Sequence, residues 1–182
     1  MNDTVKIFIK HGTQLSPKEL EEINSAKARE WQIPPMQKSE QESALFFLLK
    51  NEQDAILAQG EIIEINDIVF HNESFSILGI GGVVANEKGK GYGREIMTVI
   101  KNYIIKHKKT GVGFTRKVEF YEKCGFSIDT ESKKRFVYMK DGKRMTHETD
   151  ECIVFLDGKD TFMEKIAAYP DQDVILPISP QW

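Results

Sequence analysis

Between Val83 and Arg94 the chain reads Val-Val-Ala-Asn-Glu-Lys-Gly-Lys-Gly-Tyr-Gly-Arg, with glycines at 89, 91 and 93 between a β-forming run and an apolar helical pattern. That combination suits an anion. Glycine lets the backbone approach a ligand closely, the first N–H groups of a helix have no acceptor within it, and the macrodipole is positive at that end. Lys88, Lys90 and Arg94 add cationic side chains, so a diphosphate is the natural guest. Two other phosphate loops do not fit. A dinucleotide fingerprint starting at Gly89 needs glycine where Arg94 stands, and a P-loop needs Ser or Thr after Gly89-Lys90, where Gly91 stands. The structural alternative is a capped helix start with no ligand, and the chemical one is a nucleotide such as ATP.

A second segment, Phe120-Tyr121-Glu122-Lys123-Cys124-Gly125-Phe126, reads as a short helix closed by Gly125 in the left-handed conformation, with Phe126 starting an apolar return. Within it, the plainer reading of Tyr121 is a packing aromatic whose hydroxyl finds a partner. Cys124 has no histidine near it in sequence and reads as an inert thiol at a helix end rather than a nucleophile.

In this order and at this separation, Lys88-Gly89-Lys90-Gly91-Tyr92-Gly93 and Phe120 to Phe126 resemble two segments of the GNAT superfamily of acyl-CoA-dependent N-acyltransferases. These are the acyl-CoA loop, written Q/R-x-x-G-x-G/A, and the F-Y-x-x-x-G-F segment. The matched region runs from about Ile62 to Met139. Lys88 departs at the first loop position, keeping the charge but losing the planar fork of arginine. The resemblance implies acetyl-CoA as the acyl-donor cosubstrate, held by Val83, Val84, Ala85, Lys88, Gly89, Lys90, Gly91, Tyr92, Gly93 and Arg94, with the strand residues lying along the pantetheine arm. It implies N-acetyl transfer by direct attack of a primary amine, on a small molecule or peptide, with no metal. A strand N–H, that of Val83 or Val84, would stabilise the oxyanion and Tyr121 would protonate the sulfur.

The best-known members carry a carboxylate on the strand before the loop, where this chain has Ser74, Ser76, Ile77, Gly79 and Ile80. Glu64, Glu73 and His71 are candidate bases nearby, each reading first as a solvated strand or turn residue, and solvent is the other route for the proton. This gap leaves a non-catalytic acyl-CoA-binding sensor or interaction module as the alternative. The tail, ending in Trp182, is loosely similar to that of aminoglycoside 2'-N-acetyltransferases, where the terminal carboxylate helps hold a cationic substrate. A docked hydrophobic end is the plainer reading of Trp182.

The elements needed to position these residues follow from pattern. Val5 to Ile9 alternates as a strand, and Ser16-Pro17-Lys18-Glu19 reads as a helix start with a capping box, the helix stopping before Pro34-Pro35. Apolar segments at Ala44 to Leu49, Ala55 to Ala58, Ile62 to Phe70 and Phe75 to Val84 predict an antiparallel meander, with turns at Asn51 to Asp54 and His71 to Glu73. Gly79, Gly81 and Gly82 within the last strand predict a bulge, a ligand against the backbone, or a closely packed helix. Ile96, Val99, Ile100, Tyr103 and Ile104 mark a helix ending near Thr110-Gly111. Its basic run Lys106 to Lys109 suits a helix C-terminus, where cations offset the dipole. Strands near Val112 to Thr115, Arg135 to Met139 and Cys152 to Leu156 follow, with short helices at Lys117 to Lys123 and Thr161 to Ala168.

The expected fold is α/β (α+β): a mixed, mostly antiparallel central sheet of about six to seven strands flanked by helices. One domain over residues 1–182 is the simplest organisation, with a motif core at about 62–139 and a C-terminal extension from about 140. At 182 residues, 40% hydrophobic and 29% charged, the chain can bury an ordinary globular core. A net charge of -3 gives no overall attraction to nucleic acid or anionic membrane, so neither is an expected partner, whereas a homodimer is compatible with it. Two cysteines are too few for a disulfide framework or a four-ligand zinc site, and the longest apolar run cannot span a bilayer. These features read as cytoplasmic.

Overall fold

Ser16 opens the first helix as its neighbours predict. Its hydroxyl accepts from the Glu19 N–H at 3.2 Å and its own N–H donates to the Glu19 carboxylate at 2.7 Å, with Pro17 in the first turn. The computed structural model describes residues 4–146 and 152–177. In chain order its first elements are β1 (Lys6–His11), α1 (Pro17–Trp31), α2 (Lys38–Ser43), β2 (Ala44–Lys50), β3 (Ile56–Phe70), β4 (Glu73–Ala85) and α3 (Tyr92–His107). They are followed by β5 (Gly111–Thr115), α4 (Val118–Lys123), β6 (Ser127–Asp129), β7 (Phe136–Lys140), β8 (Lys143–Thr146), β9 (Cys152–Leu156), α5 (Phe162–Ala168) and β10 (Val174–Leu176). No helix among the described residues is long and apolar enough to cross a membrane.

The mixed, mostly antiparallel architecture is as expected, but the described residues form ten strands rather than six to seven. The additional strands β6, β8 and β10 are three or four residues long, too short for alternation to register. In the opposite direction, Ala55 to Ala58 and Ile62 to Phe70 belong to one strand. Gly60 does not interrupt it but admits a close approach of α3, since a Cβ there would stand 2.7 Å from Ile100 Cδ1. Helix α2 has no apolar periodicity, and its six residues, none of them buried, gave no signal in the pattern. Helix α3 stops at His107, short of Thr110, because Lys108 takes a left-handed φ of 58°.

Contacts divide the chain into two compact units, residues 1–63 with 82–100 and residues 64–81 with 101–182, so that β3, β4 and α3 contribute to both. In the first unit β1, β2 and the opening half of β3 pair antiparallel, from Lys6↔Lys50 through Ala44↔Ile63. A core of Ile23, Ala44, Phe46, Leu48 and Ile56 joins α1 to these strands. In the second unit the strand order is β6-β9-β5-β4-β3-β10-β7-β8. There β4–β5 and β10–β7 are parallel, while β10–β3, β5–β9, β6–β9 and β7–β8 are antiparallel. Phe162 of α5 packs against Phe75 at 5.0 Å and Phe136 at 6.4 Å between ring centres, inside a core that includes Ile65, Ile77 and Val112.

Arg135 fastens α5 to that sheet. Its guanidinium donates to the carbonyls of Gln172 and Ile166 at 2.9 Å and of Tyr169 at 2.5 Å, placing positive charge at the helix C-terminus. Lysine keeps the charge but cannot reach three divergent acceptors at once. Arg135→Lys is therefore expected to lower unfolding free energy by about 1–3 kcal/mol, read as a shift of the urea midpoint.

Candidate functional site

Of the glycines at 79, 81 and 82 in β4, Gly82 takes a left-handed φ of 59°. A Cβ there would stand 2.8 Å from the Glu61 carboxyl carbon, so both the turn and the contact require glycine. Beyond it Val83 and Ala85 are half-buried and Val84 is buried. Asn86 then anchors the strand end. Its N–H donates to Leu57 O at 2.8 Å, its amide NH2 donates to Ile56 O at 2.5 Å, and its Oδ1 accepts from Arg29 at 2.6 Å.

From this anchor the loop runs exposed through residues 87–91. Gly89 and Gly91 have φ of 81° and 85°, and no protein atom lies within 4 Å of where a Cβ would stand at either residue. The backbone there is open to a ligand. Gly91 O accepts from Arg94 N at 2.9 Å and Glu95 N at 3.1 Å, which starts the 16 residues of α3. Lys88, Lys90 and Arg94 are exposed, and Lys88 Nζ lies 3.7 Å from Glu30 at the end of α1. Tyr92 is half-buried and Gly93 buried. All the sequence-predicted cofactor-binding residues thus fall on one continuous path from strand end to helix start. The positive end of the α3 dipole and three exposed cations on this path fit a diphosphate.

In the second unit, β4 pairs with β5 only at Leu78↔Gly111 and Gly79↔Val112, although β5 remains paired with β9 as far as Thr115. Beyond those two pairs β5 stays close to β4 at Gly113, where a Cβ would stand 2.9 Å from Ile80 O. Tyr121 lies on α4, 8% exposed, with its ring edge-on to Phe120 and Phe126 at 5.2 and 6.1 Å. Gly125 closes α4 at φ 79°, donating to Glu122 O, and Lys101 Nζ donates to the Cys124 and Gly125 carbonyls at 3.3 and 3.1 Å. Cys124 and Cys152 form no disulfide.

The three candidate bases have other partners. Glu64 pairs with Lys109 and accepts from Ser76, and the Lys109 hydrogen bond holds its carboxyl below the usual range. Glu73 pairs with Lys165, and His71 stacks on Tyr169 at 3.6 Å while bonding Gln172. Trp182 lies outside the described residues. Among the described residues no cluster of His, Cys, Asp or Glu could hold a metal ion.

No family model and no curated protein matches the chain. Solved structures do. An acyl-CoA N-acyltransferase from Pseudomonas aeruginosa aligns with a TM-score of 0.58 at 16% identity, over 84% of this chain and 99% of its own. Escherichia coli ElaA aligns at 0.54 and 17%, over 82% and 99%. The GNAT family N-acetyltransferase YhbS from Escherichia coli, solved in complex with CoA, aligns at 0.60 and 10%, over 97% of this chain and 90% of its own. The chain has the GNAT fold.

Within this GNAT fold, one feature of the first unit escaped the sequence reading: a buried ion pair between Glu61 of β3 and Lys27 of α1, with both carboxylate oxygens 2.7 Å from Nζ. The signal was present in the carboxylate itself, which interrupts the β-forming run from Leu57 to Ile63 and must be partnered if buried. Two residues earlier on the strand, Gln59 is also buried, its Nε2 3.4 Å from Ile23 O.

Proposed function

We propose that the chain is an N-acetyltransferase that moves an acetyl group from acetyl-CoA to a primary amine of a small molecule or peptide. The observation that carries this reading is the open glycine loop at the start of α3, with Gly89 and Gly91 at positive φ beside three exposed cations. Likeness to the CoA-bound YhbS structure supports the choice of CoA over other diphosphates.

Acetyl-CoA, when bound, supplies an activated acyl group and a thiol leaving group. The N–H groups of residues 89–93, with the side chains of Lys88, Lys90 and Arg94, would hold its diphosphate, and the main chain of Val83 to Ala85 would align its pantetheine arm. The Val83 N–H donates to the acyl oxygen as negative charge gathers there. Tyr121 passes its phenolic proton to the departing sulfur, a role assigned from the F-Y-x-x-x-G-F resemblance. The attacking amine loses its proton to water, because Glu64, Glu73 and His71 are engaged elsewhere.

Calorimetry with CoA and acetyl-CoA, followed by thiol release with a panel of aminoglycosides, polyamines, amino acids and peptides, tests the reading. Binding plus acceptor-dependent thiol release is the expected result, and absence of any heat of binding overturns it. Lys88→Ala and Arg94→Ala should each weaken CoA binding about two- to fivefold at low salt, with the difference shrinking as ionic strength rises. The same calorimetric titration at two salt concentrations reads this.

A further inference from the structure

Glu61 sits in the middle of β3, opposite Phe46 of β2, and is 3% exposed. Lys27 Nζ donates to each of its oxygens at 2.7 Å and lies 3.2 Å from Met36 Sδ, so the three ammonium protons face three acceptors. Stability alone gives little reason for such a pair. Desolvating two charges is costly, and apolar residues of similar volume commonly serve as well or better. Nor does the carboxylate suit the work of a base, because both oxygens are committed to an ammonium.

What the pair does touch is the turn in β4. The Cβ position of Gly82 lies 2.8 Å from the Glu61 carboxyl carbon and 3.0 and 3.1 Å from its oxygens. Gly82 is also the one residue of β4 in the left-handed region. The carboxylate therefore lies against the one left-handed residue of the strand, one residue before Val83. Lys27, reaching from α1, keeps the carboxylate from swinging away.

We propose that Lys27 and Glu61 are positioning residues: the lysine fixes the carboxylate, and the carboxylate holds Gly82 in its left-handed turn and so sets the direction of the Val83 N–H. What that N–H does rests on the acyl-transfer reading; the conformational statement does not depend on it.

The double variant Lys27→Met/Glu61→Met tests this, since it strands no buried charge and should fold where Glu61→Ala alone would leave the lysine unpaired. In labelled protein, the Gly82 13Cα shift and the Gly82 and Val83 amide shifts are expected to move while those of residues 88–94 stay. Turnover should fall at least ~10-fold in kcat with KM for acetyl-CoA changed less than ~3-fold, the pattern of a misaimed oxyanion donor. Glu61→Gln, which keeps the shape but offers Lys27 one acceptor oxygen where the carboxylate offers two, should also move the Gly82 and Val83 shifts and leave the form of the pH–rate profile unchanged. A folded double variant with native Gly82 and Val83 resonances overturns the proposal, as does loss of the acid limb of the profile in Glu61→Gln, which would make Glu61 a base. Should the native protein acetylate no amine, the acyl-transfer reading fails by itself and the resonances still decide the proposal.

Discussion

Glu19→Ala is expected to lower the unfolding free energy by about 3–5 kcal/mol, the scale of stranding a buried charge. Glu19 is 3% exposed and accepts from Lys10 at 2.6 Å, from Lys50 at 2.7 Å and from the Ser16 N–H that closes the α1 cap. Lys50 is as deeply buried, and without Glu19 its remaining partner is Asp54, whose own side chain is 64% exposed. Burial alone would raise the Glu19 pKa, but the two ammonium groups and the Ser16 N–H outweigh it and hold the carboxyl at about 2, against an ordinary 4.5. The folded value lies below the unfolded one, so the contribution is complete above about pH 4.5 and disappears as pH falls through about 2. At about 1.4 kcal/mol per pH unit, that is roughly 3 kcal/mol of stability. Urea midpoints between pH 7 and pH 2 should fall accordingly in the native protein. In Glu19→Ala they should start lower and lose this part of the slope.

Tyr121→Phe is expected to reduce kcat by about 10²–10⁴-fold, the range of one positioned general acid, with KM for acetyl-CoA little changed. The substitution removes one oxygen and keeps the ring that meets Phe120 and Phe126 edge-on, so melting temperature should hold within a few degrees. In the proposed role the proton goes to sulfur, so an acyl donor with a more acidic thiol should depend less on the phenol. Measuring the native and variant enzymes with two such donors separates proton transfer from packing. Unchanged turnover with both would remove Tyr121 from the chemistry.

What was legible in the sequence is what is local in the chain. The Ser16–Glu19 cap closes over three residues, Gly125 ends α4 within its own turn, and the loop glycines alternate with the cations of the same segment. Each leaves its mark in a window of a few positions. The features that were missed join distant positions: Glu61 meets Lys27 across 34 residues and Lys50 meets Glu19 across 31. Which face of β3 carries Glu61 depends on register against β2, which residue types alone do not fix. Lysine and glutamate read by default as surface residues. The partners of Glu64 and Glu73 were hidden for the same reason, because Lys109 and Lys165 lie 45 and 92 residues from the carboxylates they pair with.

The place of β10 bears on how the second unit is made. Residues 174–176 lie between β3 and β7, antiparallel to one and parallel to the other. A nascent chain that has emerged only as far as residue 170 already carries β3 and β7 but lacks the strand that joins them. Both then present open hydrogen-bonding edges until residues 174–176 have emerged, a window in which intermolecular pairing competes with closure.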